Sequence, residues 1–112
     1  MSAPTNRHKD GTITVLVNPS TTGNTAVVAA AGAGIMIRVV SVALVTTLAN
    51  GVKFQSATTD ISPLFPLGGN GGFVLPPNEA GWFSTAANEA LNVNLSVATA
   101  TGVLINYKLS QV

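Results

Sequence analysis

The chain has 112 residues, no cysteine and a net charge of +1, and only 8% of its residues are charged. This length suits one domain that folds without disulfides, and the lack of cysteine excludes a disulfide scaffold and thiolate metal sites. Synthesis in a reducing cytoplasm is expected. The sequence has 13 Thr, 8 Ser and 10 Asn in place of charges. Because so little charge keeps the copies apart, we expect a homo-oligomer or a larger array.

Residues 1–11 are predicted to form an extended arm in front of a single domain at 12–112. The arm contains four of the ten charged or histidine side chains, including the basic cluster Arg7, His8 and Lys9. A short basic cluster favours contact with an acidic protein surface. The cluster has no interleaved aromatic residues, so nucleic-acid binding is not expected. The arm also lacks the apolar run of a signal peptide.

Apolar periodicity predicts three strands in the first half of the chain. TITVLV at 12–17 alternates, whereas TAVVAA at 25–30 and IMIRVVSVALVTT at 35–47 are typical of strands covered on both faces. The last two of these segments together form an apolar stretch that is long enough to cross a bilayer. Because Arg38 lies near its middle, no membrane span is expected. Asn50-Gly51 then predicts a tight hairpin turn, followed by a return strand.

The second half predicts more strands, with longer loops between them. Residues 57–72 contain two prolines and four glycines, which predicts a long loop with at most one short strand, near Ile61. Further strands are predicted at 73–75, 81–85, 89–97 and 102–109. The side chains expected in the core are Trp82, Leu91, Val93, Leu95, Ile105 and Tyr107. Seven or eight short strands and no helix indicate an all-β fold, a single antiparallel β-sandwich that is jelly-roll-like.

Groups that could perform catalysis are few. With one histidine and four carboxylates in the whole chain, no enzymatic activity is expected. Glu79 and Glu89 could form the carboxylate pair of a glycosidase, but no histidine, arginine or further acid lies nearby in the sequence to tune either one. The Gly-rich stretches AGAGIM and GGNGG lack the residues that phosphate-binding loops need. No metal and no cofactor are expected.

Four stretches between residues 52 and 107 resemble small virion proteins of tailed bacteriophages. They are VKFQSATTDIS, GGNGGFVLP, GWFSTAANEALNVNLS and LINY, and GWFSTAANEALNVNL is the most specific. The N-terminal half matches no such pattern. The resemblance implies a capsid decoration (cement) protein, a jelly-roll-like module on the outside of an icosahedral head that bridges neighbouring coat subunits. Its location would be the capsid exterior of the virion, after synthesis in the host cytoplasm.

The implied partner is the lattice of the major capsid protein, with homo-oligomers or copies at its symmetry axes. The residues expected to contact it are Arg7, His8, Lys9, Leu64, Phe65, Leu67, Asn78 and Glu79. The alternative is a carbohydrate- or receptor-binding β-sandwich of a head or tail fibre, in which Trp82 or Tyr107 stacks on a sugar. That alternative predicts an exposed aromatic side chain on a sheet face or in a groove.

Overall fold

The computed structural model describes residues 11–111 and the backbone of residues 5–7. Within these ranges every regular element is a β-strand, and the strands form two antiparallel sheets. The strands are β1 (Thr5–Arg7), β2 (Ile13–Val17), β3 (Gly23–Val28), β4 (Ile35–Thr46), β5 (Asn50–Ser56), β6 (Thr59–Asp60), β7 (Phe65–Leu67), β8 (Gly72–Leu75), β9 (Phe83–Ser84), β10 (Leu91–Leu95) and β11 (Thr101–Gln111). The prediction of an all-β fold is confirmed.

The two sheets pack face to face as a sandwich. Sheet A has the order β1-β2-β11-β4-β8, and β9 also pairs with β4. Sheet B has the order β3-β10-β5-β6, and β7 also pairs with β5. The chain changes sheet between β2 and β3, β3 and β4, β4 and β5, β7 and β8, and again on either side of β10. The orders β2-β11-β4-β8 and β3-β10-β5-β6, within sheets of six and five strands, make the sandwich jelly-roll-like.

The core lies between the inner faces of the sheets, where alternate side chains of each strand meet. Five of the side chains predicted for the core are buried: Leu91, Val93, Leu95, Ile105 and Tyr107. They pack with inward residues of the other long strands, mostly Val, Ile and Leu. Alternation was therefore a sound guide within β10 and most of β11, but not at Val97 and Leu109, which are 43% and 44% exposed.

Trp82 was predicted to lie in the core, and this is wrong. Its side chain is 41% exposed, and its Nε1 donates a hydrogen bond to the carbonyl of Pro76 at 2.7 Å. The neighbouring Phe83 occupies the core instead and stacks on Phe54 with a ring separation of 5.2 Å. Because Phe83 pairs with Val39 and faces inward, alternation along the strand directs Trp82 outward.

The hairpin predicted at Asn50-Gly51 is also wrong. β4 belongs to sheet A and β5 to sheet B, so residues 47–49 cross from one layer to the other. Asn50 and Gly51 are the first residues of β5, and neither has a positive φ. The local turn signal is overridden because the side chain of Asn50 bonds to the backbone of Val97.

Residues 57–72 contain more strand than the sequence predicts. β6 and β7 both form here, and β7 pairs with the start of β5. The ring of Phe65 meets that of Phe73 at a centroid distance of 4.4 Å, and Phe65 and Leu67 pack against the core. Of the three apolar side chains expected to be exposed in this segment, only Leu64 is, at 53%.

The apolar stretch considered for membrane insertion forms parts of β3 and β4. In the part of the chain that the structure describes, no helix has the length and apolarity needed to cross a membrane. The expectation that β4 is covered on both faces fails at its C-terminal end. There Ala43 is only partly buried, and Val45 is 54% exposed on the outer face of sheet A.

Candidate functional site: an uncharged end of the sandwich

Four connections meet at one end of the sandwich. They are residues 18–22, 47–49, 68–71 and 96–100, which join β2 to β3, β4 to β5, β7 to β8, and β10 to β11. We call this set of residues the loop end. None of its residues is Asp, Glu, Lys, Arg or His. The charged side chains of the chain therefore belong to other parts of the molecule.

Backbone hydrogen bonds tie the connections of the loop end to one another. The amide of Thr47 donates to the carbonyl of Ala100 at 3.1 Å, and the Thr47 hydroxyl donates to the same carbonyl at 2.9 Å. The amide of Asn70 donates to the Thr47 carbonyl at 3.0 Å. The amide of Thr101 donates to the Pro19 carbonyl, also at 3.0 Å. These bonds hold the four connections in one arrangement before any partner binds.

The side chain of Asn50 holds the connection between β10 and β11 in place. Its Nδ2 donates to the carbonyl of Val97 at 3.2 Å, and its Oδ1 accepts from the amide of Val97 at 3.0 Å. Asn50 is only 5% exposed. One side chain thus satisfies both backbone groups of Val97, as a neighbouring strand would.

Large apolar side chains are exposed at the loop end and next to it. Leu48 is 60% exposed, and Val97 is 43% exposed. Leu64, which is 53% exposed, lies beside Ser96 of the loop end, since a Cβ built on Gly51 would meet both Leu64 Cδ1, at 3.1 Å, and Ser96 Oγ, at 2.8 Å. An apolar surface without charge is the kind of surface that proteins cover with a partner.

The structure does not bring the other predicted contact residues to this end. Asn78 and Glu79 lie in the connection between β8 and β9, where the Asn78 amide donates to the Val40 carbonyl at 3.0 Å. The carboxylate of Glu79 pairs with the Lys108 ammonium at 2.7 Å, and the Glu79 side chain is 73% exposed. These two residues therefore belong to a different surface from that of Leu64.

The predicted basic cluster falls largely outside the described residues. The backbone of Arg7 ends β1, which pairs antiparallel with β2 and places Arg7 opposite Ile13. The side chain of Arg7, together with His8 and Lys9, lies outside the described residues. The cluster as an acidic-surface contact stays a prediction.

The carboxylates considered for catalysis each have another partner. Glu89 accepts a hydrogen bond from the Ser56 hydroxyl, whose oxygen accepts from the Ala86 amide at 2.9 Å. Glu89 thereby holds the connection between β9 and β10 against β5, while Glu79 pairs with Lys108. Across residues 11–111 and 5–7, no group of three or more His, Cys, Asp and Glu residues could hold a metal ion.

The outer face of sheet B is polar, and its side chains bond to one another. Asn94 Nδ2 donates to Asn24 Oδ1 at 2.8 Å, and Asn92 Nδ2 donates to the carbonyl of Ala57 at 2.8 Å. Asp60 accepts from Gln55 Nε2 at 2.7 Å. Because these amides already have partners, the face offers few unpaired groups to a ligand.

The outer face of sheet A is different and was missed from the sequence. Leu16, Leu104, Ala43 and Val74 lie side by side on four neighbouring strands, in register. They line a shallow groove of about 580 Å³. The sequence did contain a signal for this face. Leu16 in β2 and Leu104 in β11 are large apolar residues at outward positions, where a solvent-exposed strand would have polar residues.

No protein-family model matches this chain, and no curated protein matches its sequence. Its function is therefore inferred from its own residues and their geometry. Two apolar surfaces stand out, the loop end with Leu64 and the outer face of sheet A.

Proposed function

We propose that this chain is a structural virion protein that binds the outer surface of an assembled phage capsid and stabilises the coat lattice by bridging neighbouring subunits. One observation carries the proposal: Leu48 and Val97 are exposed at an end of the sandwich whose connections contain no charge, and the exposed Leu64 lies beside Ser96 of that end. The resemblance of residues 52–107 to phage virion proteins supplies the kind of partner. The fold alone would not, because jelly rolls serve many functions.

Such a protein stabilises the lattice by mass action. A protein that binds the assembled shell more tightly than the free coat subunit shifts the equilibrium towards the shell. The effect is multiplied over the many equivalent sites of an icosahedral surface. Exposed apolar side chains at the centre of a contact supply most of its free energy. The hydrogen bonds among the four connections reduce the ordering cost of binding.

The test is co-sedimentation of the purified protein with empty heads of the virus whose genome encodes the chain. We expect saturable, stoichiometric binding to heads and none to unassembled coat subunits. Leu48→Asp should weaken binding by about tenfold or more, because the contact would bury an unpaired carboxylate. Leu109→Asp is the matched control, since Leu109 is 44% exposed and lies near the end of β11, away from the loop end.

Two outcomes would contradict the proposal. If the wild-type chain does not sediment with intact heads, it is not a cement protein. If Leu48→Asp and Leu109→Asp bind heads equally well, the loop end is not the contact. Thermal denaturation of both variants separates loss of binding from loss of folding.

The carbohydrate-binding alternative is favoured by one observation, the exposure of Trp82 at 41%. A tryptophan with one exposed ring face is a common platform for a sugar. Its indole Nε1 is held by the Pro76 carbonyl at 2.7 Å, which fixes the ring in place. Tyr107, the other aromatic residue considered, is only 7% exposed and packs in the core.

This alternative is tested by a glycan screen that monitors the fluorescence of the single tryptophan. A sugar that stacks on Trp82 would change its emission, and Trp82→Ala would abolish binding without unfolding the domain. Retention of head binding by Trp82→Ala would assign attachment to a surface other than this ring. A full screen without any binding sugar would eliminate the alternative.

A further inference from the structure

We propose that the outer face of sheet A pairs with the same face of a second copy around a two-fold axis that runs across the strands. The proposal concerns a different surface from the loop end and does not depend on the proposed capsid function. It rests on the arrangement of large and small residues along three neighbouring strands. We call this surface the sheet A face, with Leu16, Ala43, Val45, Gly72, Val74, Gly102 and Leu104 as its residues.

Each of three strands presents one bulky and one small residue on this face, two positions apart. On β11, Leu104 is 36% exposed and follows Gly102. On β4, Val45 is 54% exposed and follows Ala43. On β8, Val74 is 70% exposed and follows Gly72.

The strand register arranges these residues in two rows. Leu104, Ala43 and Val74 form one row, in which Ala43 pairs with both of the others. The second row has Val45 between two glycines, since Val45 pairs with Gly102 on one side and Gly72 on the other. The rows are about 7 Å apart, two residues along a strand.

A two-fold axis midway between the rows and perpendicular to the strands fits this pattern. It would place Leu104 over the Gly102 of the second copy, and Val74 over its Gly72. Val45 would lie over Ala43 in the same way. On these three strands each bulky side chain then meets a small residue, the complementarity that an isologous contact requires.

The distribution of charge favours a second copy as the occupant. The two rows and the adjoining row of Thr14, Asn106 and Ser41 contain no charged residue, and Asn106 bonds to both of its neighbours in that row. Arg38 and Lys108 lie further along β4 and β11, and Lys108 pairs with Glu79. Because the two-fold axis reverses the strand direction of the second copy, the cations of the two copies would lie at opposite ends of the contact.

The area predicts a weak dimer. Four strands at about 4.8 Å spacing and about five residues of overlap give a footprint on the order of 350 Å² per copy. Stable dimers bury about 800 Å² per partner, so this contact belongs to the weak class. We therefore expect a monomer at micromolar concentration and a dimer near millimolar concentration or when copies are held close together.

Sedimentation velocity from about 10 μM to about 1 mM tests the proposal. We expect a monomer–dimer equilibrium in the wild-type chain. Gly102→Val should weaken association by about tenfold or more, because it fills the recess that receives Leu104 of the second copy. A Cβ at Gly102 has room within its own chain, with Val45 Cγ1 the nearest atom at 3.7 Å.

Two further variants make the test specific. Ala26→Val, on the outer face of sheet B, is the matched control and should leave association unchanged. Gly102→Val combined with Leu104→Ala exchanges the bulky and small positions and should restore the dimer. Non-specific apolar adhesion predicts the reverse for the single change, since Gly102→Val adds apolar surface.

Three results would overturn the proposal. They are a monomer at every concentration, a trimer in place of a dimer, or stronger association of Gly102→Val than of the wild-type chain. If the chain stays monomeric and Gly102→Val abolishes binding to empty heads, the sheet A face contacts the coat. Thermal denaturation of each variant confirms that it remains folded.

Discussion

The side chain of Asn50 joins the start of β5 to the connection between β10 and β11. Its amide bonds both backbone groups of Val97, at 3.2 Å and 3.0 Å, from a position that is 5% exposed. An isolated Asn-Gly pair favours a turn because both residues tolerate positive φ. Here two part-buried hydrogen bonds outweigh that local preference, and the pair begins a strand.

Asn50→Ala is expected to destabilise the fold by about 1–2 kcal/mol, because it leaves the Val97 amide without its partner, while the Val97 carbonyl keeps the hydrogen bond from the Thr99 amide. Urea denaturation measures the change. Asn18→Ala is the control, since Asn18 is exposed, and its effect should stay within about 0.5 kcal/mol. If the two substitutions change the free energy of unfolding equally, the Asn50 hydrogen bonds make no net contribution to stability.

The carboxyl of Asp60 titrates differently from a free aspartate. The hydrogen bond from Gln55 is the main cause that lowers its pKa below the usual 3.8, followed by the hydrogen bond from Lys53. Because the pKa is lower in the folded chain, Asp60 contributes stability that is fully present above 3.8. That contribution is lost as the pH falls through the pKa of the folded state.

Gln55→Ala and Lys53→Ala are each expected to raise the pKa of Asp60, because the first removes the largest single cause of its lowering and the second removes both a hydrogen bond and a nearby positive charge. An NMR titration of the Asp60 carboxyl carbon in the two variants measures both shifts. In Asp60→Asn, the free energy of unfolding should also fall less steeply as the pH is lowered. An unchanged pKa of Asp60 in Gln55→Ala would show that the Gln55 hydrogen bond does not lower it.

At the scale of elements, Val45 on β4 lies between two glycines that have different roles. A Cβ on Gly72 would lie 2.0 Å from the carbonyl oxygen of Leu44, closer than any real contact. The position must be glycine for β8 to approach β4. A Cβ on Gly102 would meet nothing closer than 3.7 Å. Glycine is thus required at position 72, on one side of Val45, whereas position 102, on the other side, has room for a larger residue.

Gly72→Ala is expected to destabilise the domain by about 1–3 kcal/mol, because β8 must shift away from β4. Gly102→Ala should instead be neutral or stabilise it by up to about 1 kcal/mol, because it restricts the unfolded chain. Thermal and urea denaturation of dilute, monomeric samples compare the two. A destabilisation of the same size in both variants would contradict the assigned difference in space.

At the scale of the whole molecule, β11 holds sheet A together. It lies between β2 and β4 and pairs with β4 along its entire length, from Thr101 to Gln111. Its partners come from the first half of the chain, so the sheet closes only when the two ends of the domain meet. The arm, by contrast, contributes β1 at the edge of the same sheet.

Deleting residues 1–10 is expected to leave the domain folded while it weakens attachment to heads, because an edge strand and the basic cluster are removed. A chain that ends at Ala100 should not fold, since β2 and β4 lose their common neighbour. Circular dichroism and co-sedimentation measure the two effects. If the arm deletion decorates heads with unchanged affinity and occupancy, the arm has no role in attachment.

Periodicity along the chain was enough to predict the class of fold and much of the core. Side chains alternate strictly across a strand, so Leu91, Val93 and Leu95 had to share one face whatever the strand paired with. The same reasoning located Ile105 and Tyr107 in the core. The low charge and the abundance of neutral polar residues were also visible without a structure.

Only the tertiary structure decided which strands share a sheet and which faces stay open. The choice between Trp82 and Phe83 for the core depended on the register of β9 against β4, which no local pattern contains. The loop end exists because four connections, distant in the sequence, end on the same side of a jelly roll. The bulky and small residues of the sheet A face likewise meet through pairing between strands from opposite ends of the chain. Contacts of this kind depend on the path of the backbone, whereas periodicity reports only what lies within one strand.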